Sequence, residues 1–206
     1  GRLIAANQPR SPITESFRSL RENVRFTSID HDLRNLLITS PEPGEGKSTV
    51  SSNLSIVFAQ AGVKTILMDC DLRRPTLHKV FNLPNRNGLS SMLFDKDLPL
   101  DDAKVKTSID NLNLITSGSL PPNPAELLAS QRMENVVKEL NKMADLIILD
   151  TPPIQAVTDA ASLAPKMDGV ILVIQPGKTH ISAARNSVEQ LRRANARLLG
   201  VVLNPL

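Results

Sequence analysis

Ser40-Pro41-Glu42-Pro43-Gly44-Glu45-Gly46-Lys47-Ser48-Thr49 lies between an apolar strand candidate, Leu36-Leu37-Ile38, and an amphipathic helix candidate, Ser48 to Ala61. A glycine-rich turn from a buried strand into a helix N-terminus gathers backbone N–H groups and the positive end of the helix dipole around an anion. Gly44 and Gly46 let the chain aim those N–H groups inward. Lys47 places a point charge at the β- and γ-phosphates, and Ser48 offers a hydroxyl to Mg²⁺. Pro43, Glu45 and Thr49 complete the nucleotide-contacting loop. The spelling departs from G-x-x-x-x-G-K-[ST], because Pro41 stands where the first glycine belongs. The strand before and the helix after carry the assignment, which implies binding of a nucleoside triphosphate.

Working outward, apolar stretches recur at Leu36 to Thr39, Thr65 to Met68, Leu112 to Ile115, Leu146 to Leu149, Val170 to Ile174 and Leu198 to Leu203. Helical patterns separate them, which predicts an α/β fold of the P-loop NTPase kind: a mostly parallel sheet with helices on both faces. Thr14 is a candidate cap for a helix reaching about Phe26, Gly62 ends the helix after the phosphate loop, and Ala183 to Ala194 forms another with Val188 and Leu191 inward. Residues 1–12 read as a linker and residues 13–206 as one domain. The irregular stretch Asn82 to Thr107, with a short helix near Gly88 to Phe94, is expected outside the sheet.

Composition narrows the classes. A chain of 206 residues can bury a sizeable core without disulfides, and its lone Cys70 fits a reducing cytosolic setting. No apolar run is long enough to span a membrane, and the start is no secretory signal. The net charge of +3 favours anionic ligands, but with five Phe and no Trp or Tyr there is no stacking platform, so nucleic acid is not an expected partner.

Two strands deliver acids to their carboxyl ends, where ligands sit in open α/β sheets. Lys64 to Met68 is followed by Asp69-Cys70-Asp71-Leu72-Arg73-Arg74-Pro75, and Leu146 to Leu149 by Asp150-Thr151-Pro152-Pro153. If strand geometry continues, Asp69 and Asp71 point the same way and face the phosphates together. Asp150 suits the hydrated shell of Mg²⁺, which keeps several waters and takes few protein ligands. Asn204, at the end of the last strand, offers a donor and an acceptor to adenine.

These stretches, with Ser11-Pro12-Ile13-x-Glu15-x-Phe17-Arg18-x-Leu20-Arg21 and Pro121 to Leu128, resemble the bacterial tyrosine kinases of capsule and exopolysaccharide synthesis, whose Walker A, A′ and B motifs they match. The resemblance implies transfer of the γ-phosphoryl of ATP to tyrosine. Lys47 would stabilise the transferring group; Ser48, Asp71 and Asp150 would hold Mg²⁺; Asp69 would accept the tyrosine proton, with Asp69 and Asp71 able to share or exchange roles. It also implies that Glu15, Arg18 and Arg21 assemble subunits into a ring. A membrane polysaccharide co-polymerase, fused or separate, would activate the kinase at the inner face of the plasma membrane. The family's tyrosine-rich tail is not among these residues, which hold no tyrosine, so as given they cannot phosphorylate themselves. The alternative is an ATPase switch of the partition or division-site type, which carries an extra lysine where this chain has Glu42.

Overall fold

The computed structural model describes residues 3–205; Gly1, Arg2 and Leu206 lie outside them. The strands are β1 (Asn35–Thr39), β2 (Thr65–Asp69), β3 (Lys104–Lys106), β4 (Leu112–Ile115), β5 (Leu146–Asp150), β6 (Gly169–Ile174) and β7 (Leu198–Leu203). The helices are α1 (Ile4–Asn7), α2 (Pro12–Phe26), α3 (Lys47–Gln60), α4 (Leu77–Val80), α5 (Leu89–Phe94), α6 (Leu100–Ala103), α7 (Pro124–Leu128), α8 (Gln131–Leu140), α9 (Asp159–Leu163) and α10 (Ile181–Arg193). The strands form one sheet in the order β3-β4-β2-β5-β1-β6-β7, parallel throughout except for β3. That arrangement is the α/β, P-loop NTPase-like fold read from the alternation of strands and helices.

Because successive strand residues face opposite sides, the central strands feed two cores. Leu37, Ile66, Met68, Ile147, Leu149 and Val170 pack with Met133, Val136 and Leu140 of α8 and Leu191 of α10. Leu36, Ile38, Leu67, Ile148, Ile171 and Val173 pack with Val50, Leu54, Val57 and Phe58 of α3 and with Phe17 and Val24 of α2. Each such side chain, removed from water, stabilises the fold by about 1.5–3 kcal/mol. Cys70 belongs to the first core, and burial pushes its thiol well up, with the Asp69, Asp150 and Asp71 charges adding to the effect.

Several sequence expectations need correction. Residues 104–106 do not stay outside the sheet: β3 pairs antiparallel with β4 as a three-residue edge. Too short and too charged to show an alternating apolar pattern, it is invisible to a periodicity reading. The stretch read as a linker carries α1, whose Ala5 is buried and donates its N–H to Asn53 Oδ1 at 2.8 Å. The cap of α2 is Ser11, not Thr14: Ser11 Oγ accepts the Thr14 N–H at 3.2 Å, and Pro12 occupies the first helical position, where no N–H is needed. In α10, Val188 is exposed and Ser187 buried, its hydroxyl donating to Ala183 O. Nor is α3 amphipathic, because the sheet covers one side and α1 and α2 the other. It is buried from Val50 to Ala59. Its serines survive there by bonding to the preceding turn, as Ser52 and Ser55 do to Ser48 O and Ser51 O at 2.7 Å. Gly62, at φ 86°, follows the end of α3 as expected.

Candidate active site

The parallel registers bring three strand ends level. Asp150 of β5 lies opposite Ile38 of β1 and Asp69 of β2. The phosphate loop therefore opens beside both acidic strand ends. Within it, Gly44 and Gly46 have φ of 77° and 85°, a region that strains any residue with a Cβ. At Gly46 there is a second constraint, since a Cβ would meet Asn204 Nδ2 at 1.9 Å.

That contact places Asn204 behind the loop. Its side chain is buried, Nδ2 donates to Glu45 O at 3.1 Å, and its backbone N–H is held by Ile174 O at 2.9 Å. Glu45 folds back as an internal brace: Oε2 accepts the Glu42 N–H at 2.7 Å and Oε1 the Thr179 hydroxyl. Lys178 Nζ donates to Gly44 O at 2.8 Å. Lys178 and Thr179 were missed in the sequence reading. Their signal was available, because the turn Pro176-Gly177-Lys178-Thr179 follows an apolar strand that a parallel sheet must end on the same side.

Lys47 Nζ stands 3.5 Å from Asp71 Oδ2. Burial works to lower its pKa, but the Asp150, Asp71 and Asp69 charges outweigh that and raise it, so the ammonium is firmly charged. Ser48 Oγ donates to Asp150 Oδ2 at 2.6 Å. Asp150 is fully buried, and burial lifts its pKa against the pull of Lys47 and the Ser48 hydroxyl. Its other oxygen, Oδ1, has no hydrogen-bond partner. A buried carboxylate oxygen without a partner needs a cation or an ordered water. Ser48, Asp71 and Asp150 therefore fit Mg²⁺. Among the described residues no three His, Cys, Asp or Glu side chains cluster to hold a metal by themselves.

Asp69 and Asp71 do not act alike. Asp69 is fully buried; its Oδ1 accepts the Asp71 N–H at 3.1 Å and its Oδ2 the N–H groups of Thr76 and Leu77 at 3.1 and 3.0 Å. It ties together the loop from β2 to α4. Burial, reinforced by the Asp150 charge, pushes it up to about 8 against the pull of the Leu77 N–H. Asp71 Oδ1 accepts the N–H groups of Arg73 and Arg74 at 3.3 and 2.9 Å, leaving Oδ2 toward Lys47. Asp71, with Lys47 and Pro43, lines a cavity of about 450 Å³ whose far wall is Pro152, Pro153, Ala156 and Val157. Asp69 does not reach it. The cavity edge is set by Arg73, which grips buried Asp159 with Nε and Nη2 at 3.1 and 3.0 Å and so links the loop after β2 to α9.

Thr49 sits in the first turn of α3, its carbonyl bonded to Asn53 Nδ2 at 2.9 Å. On α2, Glu15 and Arg18 are paired with one another, and Arg18 Nη2 also donates to Pro9 O at 2.9 Å. Arg21 turns inward instead, donating to Val57 O at the end of α3 at 2.9 Å and to Glu22.

Residues 33–205 match the family model described as ParA, NUBPL iron-transfer P-loop NTPase. The tyrosine-protein kinase YwqD of Bacillus subtilis (strain 168) is 44% identical over 202 residues, which are 98% of this chain and 85% of that protein. Among solved structures, the chimerical protein CapA2B2 superposes with a TM-score of 0.95 at 40% identity, covering 100% of this chain and 90% of the other. The kinase domain of Escherichia coli tyrosine kinase ETK does so at 0.93 and 34%, covering 98% and 79%. The chain thus belongs to the ParA-type P-loop NTPases and, within them, to the bacterial tyrosine-protein kinases. Its enzymatic activity is protein-tyrosine phosphorylation. Among the described residues no helix is long and apolar enough to cross a membrane.

Proposed function

We propose that the chain transfers the γ-phosphoryl of ATP to tyrosines of proteins that control capsular or extracellular polysaccharide production, and that Lys47 and Asp71 face the reacting atoms. The observation that carries this reading is the cavity in which Lys47, Asp71 and the phosphate loop meet. The phenolic oxygen of tyrosine bonds to the γ-phosphorus as the bond to the β,γ-bridging oxygen breaks, ADP leaves, and the phenolic proton passes to a carboxylate. Ser48, Asp71 and Asp150 would hold Mg²⁺, which would supply neutralisation of the phosphate charge. Lys47 stabilises the charge that builds on the transferring group. We assign the proton to Asp71 rather than Asp69 because Asp71 is among the residues lining the cavity and Asp69 is not. Asn204 braces the phosphate loop through Glu45 O; an adenine contact from the same residue would use its remaining oxygen.

Glu15, Arg18 and Arg21 on α2 supply the ring contact to neighbouring copies; within the subunit Glu15 pairs with Arg18 and Arg21 donates to Val57 O. In this reading a membrane activator, fused or separate, associates with the kinase. It would bring the kinase to the inner face of the plasma membrane. Because this chain has no tyrosine of its own, the test is transfer from labelled ATP to a tyrosine peptide, beside ATP hydrolysis with and without lipid vesicles or DNA. Phosphotyrosine formation is expected. Hydrolysis stimulated by vesicles or DNA, with no phosphotyrosine, would assign the chain to the switch ATPases instead.

A further inference from the structure

The cavity beside Lys47 has walls of unequal chemistry. On the phosphate-loop side are Gly44 and Lys47, with Asp71, Arg73, Arg74 and Thr76 beside them, and the remaining lining is Pro152, Pro153, Ala156, Val157 and Pro43. Proline has no N–H, so Pro43, Pro152 and Pro153 can donate nothing to a phosphate. A wall unfit for anions, flat and apolar, suits the face of an aromatic ring, and at about 450 Å³ the cavity has room for one. Pro152 and Pro153 are buried; the Pro152 carbonyl accepts the Thr39 hydroxyl at 2.8 Å and the Pro153 carbonyl the Ala156 N–H at 3.2 Å.

The rim carries a second signal. Of the cationic residues lining the cavity, Lys47 is paired with Asp71 and Arg73 with Asp159. Arg74 is exposed and has no ion-pair partner among the described residues. Its position is nevertheless set, since its backbone N–H is bonded to Asp71 Oδ1 at 2.9 Å. Asp71 is the one carboxylate among the lining residues described, so nothing on the rim neutralises Arg74.

We propose that the proline-walled cavity is the slot for the acceptor tyrosine, with the ring against Pro152, Pro153 and Val157 and the phenolic oxygen toward Asp71, and that Arg74 selects tyrosines flanked by acidic residues. The proposal rests on the kinase reading above and names the substrate class for that site. A carboxylate a few residues from the tyrosine would meet Arg74 at the rim, where such a pair adds specificity and orientation more than affinity.

The test uses two peptides identical except that glutamates or lysines flank the single tyrosine, with KM and kcat measured for each peptide and for ATP. An exposed pair predicts a KM about two- to fivefold lower for the glutamate peptide in the wild type. Arg74→Glu should reverse the order. Ala156→Asp, at an exposed point of the apolar wall, should raise KM for both peptides while KM for ATP moves little. Circular dichroism and nucleotide-binding fluorescence verify that each variant is folded. Equal KM values for the two peptides in the wild type, or an order that survives Arg74→Glu, would overturn the selectivity. An ATP KM that rises in step with the peptide KM in Ala156→Asp would give the slot to the nucleotide and overturn the proposal. Absence of phosphotyrosine on either peptide with the wild type is a separate outcome, and it would remove the kinase reading itself.

Discussion

Asp69 and Asp150 occupy the same place on neighbouring strands. Each is the last residue of its strand, they are register partners across the sheet, and both are fully buried. Their surroundings differ entirely. Asp69 accepts N–H groups of Asp71, Thr76 and Leu77, so both its oxygens are used by the protein's own backbone. Asp150 has one oxygen on the Ser48 hydroxyl and the other with no partner. A carboxylate satisfied by its own loop has no oxygen left for a ligand, whereas one left half-satisfied at the foot of a phosphate loop has an oxygen that could meet a cation or a water. Position at a strand end therefore does not decide between the two roles; the path of the chain after the strand does. After β2 the chain curls back over Asp69 to begin α4, and after β5 it leaves through Thr151-Pro152-Pro153, where two prolines have no N–H to give back.

The comparison has three sharp breaking points. The largest effect should come from Lys47, whose charge both carboxylates share: Lys47→Met is expected to lower single-turnover transfer on the order of 10²–10³-fold, as loss of a preorganised charge does, with far less change in the urea midpoint. An unchanged rate at saturating Mg²⁺ and ATP would remove Lys47 from the chemistry. Next, Asp150→Asn should raise the Mg²⁺ concentration needed for half-maximal transfer by about tenfold, since outer-shell and ligand changes typically weaken a metal site by that order. Asp69→Asn should instead act on folding. One oxygen becomes an amide that cannot accept the N–H it faces, and leaving a buried donor unsatisfied costs about 1–3 kcal/mol, read as a lower urea midpoint at an unchanged Mg²⁺ requirement. If Asp69→Asn shifted the Mg²⁺ requirement and Asp150→Asn the midpoint, the two roles would have to be exchanged.

How much of this was legible follows from which interactions are local. The phosphate loop, the strands and both terminal acids were readable because glycine, Gly-Lys-Ser and apolar runs announce themselves within a few residues. The edge strand Lys104–Lys106 was not, since a charged three-residue strand on the sheet margin carries no periodic signal. The cap at Ser11 was displaced by Thr14 because both are capping residues, and only Pro12 at the first helical position separates them. Lys178, Thr179 and Asn204 brace the loop at Gly44 and Glu45, which lie more than a hundred residues earlier in the chain. Glu45 and Asn204 were placed near the nucleotide, but their partners belong to tertiary structure. The separation of Asp69 from Asp71 depends on three backbone N–H groups, which every sequence has and no sequence marks.

The smallest expected effect concerns pH, and it couples the two strand-end acids. Asp69 is pushed up to about 8 first by burial and next by the Asp150 charge, from an ordinary value near 3.9 in an unfolded chain. A raised carboxyl means that the folded state holds the proton more tightly than the unfolded state. The stability this contributes is complete below about pH 4 and is lost as pH rises toward about 8. Without nucleotide or Mg²⁺, the urea midpoint should therefore fall modestly between pH 6 and pH 9, softened by the Lys47 ammonium, whose own pKa is raised by the same acids. Asp150→Asn removes the neighbouring charge that helps hold Asp69 up, so it should flatten that fall. Bound Mg²⁺ and ATP should flatten it as well, because a cation between the acids takes over the compensation that protonation provides. Urea titrations at pH 6, 7.5 and 9 read this directly. A wild-type midpoint that stays level across the range would mean that the three N–H groups on Asp69 hold it charged at all three pH values, and that its partnership with Asp150 is one of position alone.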